Sequence, residues 1–92
     1  MPDTKSVQAR IEGRVQGVSF RAWTQTEAKV RGLKGWVRNE DDGTVTTVMA
    51  GPSDAVDEML RELGHGPPAA VVHAVEVSMT DWPETGSFEI LR

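Results

Sequence analysis

The residues best suited to chemistry in this chain lie together in Gly13-Arg14-Val15-Gln16-Gly17-Val18-Ser19-Phe20-Arg21. A strand that runs through such a loop into a helix leaves the N–H groups of the loop and of the first helical turn unpaired. Those groups, aided by the helix dipole, form a site for an anion. Arg21, at the start of the helix, adds a planar fork of donors that matches a phosphoryl group. The stretch is not a Walker A loop, because three residues separate Gly13 from Gly17 and no Gly-Lys-Ser/Thr follows. Nor is it the G-x-G-x-x-G dinucleotide fingerprint. Taken alone, it fits an ordinary glycine-bearing turn with a surface arginine at least as well, so residues elsewhere must decide.

The flanking segments supply the elements this reading needs. In Val7-Gln8-Ala9-Arg10-Ile11-Glu12, apolar and polar residues alternate as in a half-buried strand. Phe20 to Arg31 contains neither Gly nor Pro and stops at Gly32, which predicts a helix with a glycine just past its end. Leu33 to Asn39 and Thr44 to Gly51 are β-prone runs flanking Glu40-Asp41-Asp42-Gly43, where Asp-Gly offers the positive-φ positions of a hairpin. Pro52-Ser53-Asp54 predicts a helix start with capping residues, and Val56, Met59, Leu60 and Leu63 form its core stripe before Gly64. Ala70 to Met79 and Ser87 to Leu91 read as two further strands.

The predicted order is therefore β-α-β-β-α-β with a short terminal strand. It corresponds to an α+β ferredoxin-like sandwich, with two helices on one face of an antiparallel sheet. Many unrelated activities share this fold, so function must be argued from the site.

Ninety-two residues suit a single domain, 1–92, with a core but no second module. Without cysteine there is no disulfide framework and no thiolate metal site. Ten basic and fourteen acidic residues give a net charge of −4, which argues against a general nucleic-acid surface and confines any anion site to a local feature. Met1 to Ser6 is polar, and no run approaches the roughly 20 apolar residues of a membrane span. The expectation is a soluble cytoplasmic monomer with neither membrane nor nucleic-acid partners.

In the predicted topology Asn39 closes a strand of the same sheet as the first, which can bring its carboxamide near Arg21. With it, Gly13-Arg14-Val15-Gln16-Gly17-Val18-x-Phe20-Arg21 and Gly35-Trp36-Val37-Arg38-Asn39-x-x-Asp42-Gly43-Thr44-Val45 resemble the paired signature of the acylphosphatases. Gly51-Pro52 and Ser87-Phe88-Glu89-Ile90 extend the resemblance over most of the chain. It implies hydrolysis of an acyl phosphate to a carboxylate and inorganic phosphate, with no metal and no cofactor. Arg21 would be the phosphate ligand, Asn39 the residue that orients water, and Gly13, Arg14, Val15, Gln16, Gly17, Val18, Ser19 and Phe20 the phosphate cradle. Inorganic phosphate, the product, would compete with substrate. The family often carries a C-terminal tyrosine and this chain has none. Ser19 occupies a variable position, so substrate preference stays open.

Such a sparse site is chemically reasonable. Phosphoryl transfer passes through a loose transition state that needs charge stabilisation and positioning, and a carboxylate leaves without a general acid.

The remaining polar residues have plainer readings. His65 and His73 stand alone and receive no role, and Trp23, Trp36 and Trp82 are expected to pack rather than to stack on bases. Asp41 and Asp42 suit turn chemistry, while Asp54, Asp57 and Glu58 complement a helix dipole. Arg14 and Arg38 fit steering of an anionic substrate and simple solvation equally well. Two rival functions are a non-catalytic module that binds a phosphorylated metabolite or a protein, and a carbamoyl-phosphate-cleaving domain of a larger enzyme. Asn39 argues against the first, because a binding module gains little from a carboxamide aimed at water. The chain's start and end, within a few residues of the domain, weigh against the second.

Overall fold

The structure, a computed structural model, describes residues 3–92; Met1 and Pro2 lie outside the described residues. Five strands and two helices follow in the order β1 (Thr4–Arg14), α1 (Phe20–Val30), β2 (Lys34–Asn39), β3 (Val45–Pro52), α2 (Ser53–Leu63), β4 (Val71–Met79) and β5 (Phe88–Ile90). The sheet order is β4-β1-β3-β2-β5. The first four strands pair antiparallel, as the ferredoxin-like sandwich requires. The short terminal strand differs, because it pairs parallel with β2 and makes the sheet mixed.

Alternation along the strands determines which side chains meet the helices. Val7, Ala9 and Ile11 of β1 lie in register with Met49, Thr47 and Val45 of β3, and all six are buried. Val37 of β2 continues this face and Phe88 of β5 completes it, with Phe20 and Ala28 of α1 and Val56, Met59 and Leu63 of α2 packed above. The stripe expected in α2 is thus core, although Leu60 is only partly buried.

Both helices stop at the expected glycines, and one start differs. At the end of α1, Gly32 (φ 70) donates to the Lys29 carbonyl and Leu33 N–H to the Ala28 carbonyl, at 3.0 and 2.9 Å. This is a Schellman motif, closed by buried Leu33. At the start of α2 the expected side-chain cap is not formed. Pro52 occupies the cap position without a hydrogen-bonding side chain, and Ser53 N–H donates to the carbonyl of Asp3 at 2.6 Å. The residue just before β1 therefore does the work assigned to a cap.

The hairpin contains one positive-φ residue, Gly43 (φ 93), and not an Asp-Gly pair of them. Gly43 N–H donates to the Glu40 carbonyl and Glu40 N–H to the Thr44 carbonyl, as in a type I turn followed by a glycine bulge. Asp42 accepts from the Thr44 N–H at 3.0 Å and from its hydroxyl at 2.7 Å, which is the turn chemistry expected of it.

Candidate functional site

In a β-α-β unit with parallel strands, the helix begins where the first strand ends, beside the C-terminal end of the second. Both β1 and β2 pair antiparallel with β3, so they run parallel to each other. The start of α1 is thereby brought to the end of β2. Asn39, two residues beyond buried Val37, shares its helix-facing side and lies in register with Val45, itself in register with Ile11. Position and alternation together bring Asn39 to the head of the core.

There a cleft of about 230 Å³ is lined by Val15, Gly17, Ser19, Phe20, Arg21, Ala22, Asn39 and Ile90. This is smaller than the ~300–1,000 Å³ typical of sites for drug-sized ligands and suits a small group. Its polar side holds Ser19, Arg21 and Asn39, while Ala22 and Ile90 are apolar and exposed.

The loop's main chain alternates in the sign of φ, as an anion nest does. Gly17 (φ 76) and Ser19 (φ 63) have positive φ, whereas Gln16 and Val18 between and before them do not. Such alternation turns successive N–H groups to one side. Among the described residues, the N–H groups of Gln16, Gly17, Val18 and Ser19 make no backbone hydrogen bond. Ser19 is the cap residue of α1 and the one described non-glycine with positive φ, so the nest leads directly into the helix N-terminus.

Two polar side chains in the cleft are left available. Arg10, Arg31 and Arg38 are each paired with carboxylates, but among the described residues Arg21 has no acidic partner. Arg21 makes only a long 3.4 Å contact to the Leu91 carbonyl. Asn39 Oδ1 is buried and has no hydrogen-bond partner. A buried acceptor left unpaired costs about 1–3 kcal/mol, a cost that structures tolerate where the group has a function.

The other residues of the predicted cradle divide. Val15 and Phe20 are buried in the core as well as lining the cleft, and Val18 packs against the core. Gly13 and Arg14 belong to β1 and do not line the cleft. Gly13 stands at a register shift, where a Cβ would lie 2.1 Å from the Val71 carbonyl oxygen. Gln16 turns its carboxamide to the hairpin, donating to the carbonyls of Glu40 and Thr44 at 2.8 and 2.9 Å. No feature of the sequence marked that contact, or the arrival of Ile90 on the neighbouring strand.

Arg38 lies on the opposite, helix-free side of the sheet, 4.7 Å above the Trp36 ring and 2.9 Å from Glu40. The Thr46 hydroxyl, followed by Arg38, holds the Glu40 carboxyl below its ordinary range. Arg38 thus faces away from the cleft. Among the described residues, no three His, Cys, Asp or Glu side chains are grouped to hold a metal, and no helix is long and apolar enough to cross a membrane.

The sequence profile of the Acylphosphatase family matches residues 7–90. The chain belongs to the acylphosphatase family. An acylphosphatase of Sinorhizobium medicae is 54% identical over 91 residues, covering 98% of this chain and 97% of that one. The structure of an acylphosphatase from Coxiella burnetii superposes with a TM-score of 0.92 at 29% identity, over 97% of this chain and 94% of that one. The crystal structure of acylphosphatase from Bacillus subtilis gives 0.90 at 35% identity, over 95% and 98%. Membership makes the chain a hydrolase of the acylphosphatase class and its substrate a small-molecule acyl phosphate.

Proposed function

We propose that the cleft cleaves the carboxyl-phosphate bond of an acyl phosphate without a metal, with Arg21 and the loop holding the phosphoryl group and Asn39 orienting the attacking water. The N–H groups of Gln16 to Phe20 form the cradle, and Gly13, Arg14 and Val15 lead the chain into it. The water oxygen forms a new bond to phosphorus. The bond to the acyl oxygen breaks with its electron pair passing to the carboxylate, and the water's protons go to phosphate and solvent. Arg21 and the nest meet the charge on the equatorial oxygens, and a carboxylate needs no general acid to leave.

The observation that carries this reading is the convergence of Arg21, without an acidic partner among the described residues, with the unpartnered carboxamide oxygen of Asn39 in one cleft at a helix N-terminus. The exposed Ala22 and Ile90 offer a shelf for the acyl group. We take the working unit to be the single domain 1–92, a monomer acting in the cytoplasm.

The test is turnover of benzoyl phosphate by the pure protein with excess chelator, at several concentrations of inorganic phosphate. Hydrolysis should persist in chelator, and phosphate should raise KM while leaving kcat unchanged. Activity that vanishes in chelator and returns with a divalent ion overturns the metal-free route. Phosphate that lowers kcat at constant KM overturns the cradle, and phosphate binding with no turnover identifies a binding module.

A further inference from the structure

One side chain joins the phosphoryl cradle to the hairpin that follows Asn39. Gln16 Nε2 uses both of its hydrogens there, donating to the Glu40 and Thr44 carbonyls. These carbonyls stand at the base of the turn, where Glu40 N–H also donates to the Thr44 carbonyl at 2.8 Å. Glu40 directly follows Asn39 in the chain. Among the described residues, no other side chain between Arg14 and Ser19 hydrogen-bonds the hairpin. Gln16 does not line the cleft.

Asn39 has no comparable anchor, since its Oδ1 is without a partner. Its place relative to the loop is set by its own main chain, which is fixed from the loop side by Gln16. A misplacement of about 1 Å in a catalytic group can cost on the order of a hundredfold in rate.

We propose that the Gln16 side chain has a positioning role, fixing the separation between the cradle and the Asn39 carboxamide through Glu40 and Thr44 without itself touching substrate. The proposal rests on the roles given above to Arg21 and Asn39. A donor is required at this position. Gln16→Met keeps the length and removes the donors, while Gln16→Glu sets a carboxylate against two carbonyl oxygens.

The test is a double-mutant cycle of Gln16→Met and Asn39→Ala in the full chain, reading kcat, KM and the inhibition constant of inorganic phosphate. Gln16→Met should lower kcat by about tenfold or more, leave the phosphate constant within about threefold, and cost less than about twofold in kcat once Asn39 is alanine. Gln16→Glu should lose at least as much. Losses that multiply across the cycle, or a phosphate constant that rises in step with KM, overturn the proposal by making Gln16 a direct ligand. A lowered Tm with unchanged kcat overturns it by making Gln16 merely structural. Wild-type kcat in Asn39→Ala alone rejects the role of Asn39 and this proposal with it, whereas a loss there beside an intact Gln16→Met rejects only the proposal.

Discussion

Arg21 lies in the first turn of α1 and Asn39 closes β2, and the two line one cleft although no hydrogen bond links them. Each is held by its own element, so substitutions at the two positions are expected to report on separate parts of the reaction.

Arg21→Lys keeps the charge and loses the planar fork. A point charge cannot meet two phosphoryl oxygens at once, so kcat/KM should fall by about a thousandfold, as when an arginine finger is removed. The guanidinium is paired with no carboxylate among the described residues, so Tm should change little. Steady-state kinetics with near wild-type kcat/KM would reject the role of Arg21.

Asn39→Asp separates a group that orients water from one that deprotonates it. A base would work as well or better as aspartate. An orienting group would not, because a carboxylate ~5 Å from the phosphoryl group is repelled by about 3 kcal/mol per charge at an effective dielectric near 20. Turnover and substrate binding should both fall at neutral pH. Some activity should return in acid, as repulsion raises the carboxyl pKa in the complex and the group becomes neutral. A pH series of kcat and KM for wild type, Asn39→Ala and Asn39→Asp decides the matter, and an aspartate variant that matches wild type at pH ~7 favours a general base.

Gly13→Ala should act on stability. Gly13 has φ 135, and an added Cβ would lie 2.1 Å from the Val71 carbonyl oxygen and 2.9 Å from the His73 nitrogen. Backbone atoms cannot swing aside as side chains do, so the β1–β4 pairing must shift at a cost of about 1–3 kcal/mol. Urea unfolding should show that loss, while folded protein retains phosphate affinity. Weakened phosphate binding at unchanged stability would instead make Gly13 part of the cradle.

Acid stability should depend on Asp42. The Thr44 hydroxyl, then the Thr44 N–H and Arg10, hold its carboxyl down from 3.8 to about 2. A folded-state pKa below the unfolded one gives stability that is present above the unfolded value and lost as pH falls through the folded one. The urea midpoint should therefore hold steady down to about pH 5 and decline between about pH 4 and 2. Glu40, lowered by Thr46 and Arg38, contributes in the same direction. Asp42→Asn keeps an acceptor for Thr44 without the titration, so its midpoint should decline less steeply. An equal decline in both proteins would assign the acid sensitivity elsewhere.

The sequence by itself determined the elements and the identity of the chemical groups, because both rest on local physics. Alternation in Val7 to Ile11 makes a strand, Gly32 stops a helix, and Gly13 to Arg21 together with Gly35 to Val45 carry the family signature. Only the tertiary structure decided where each side chain points and what it meets. Pairing between distant strands and the direction of side chains depend on contacts that no short window contains. It is the parallel pairing of β5 with β2 that brings Ile90 to the cleft, and strand alternation that sends Arg38 to the other side of the sheet. It is the close approach of β4 that leaves no room for a side chain at Gly13, and the position of the hairpin carbonyls that turns the Gln16 side chain away from the cleft.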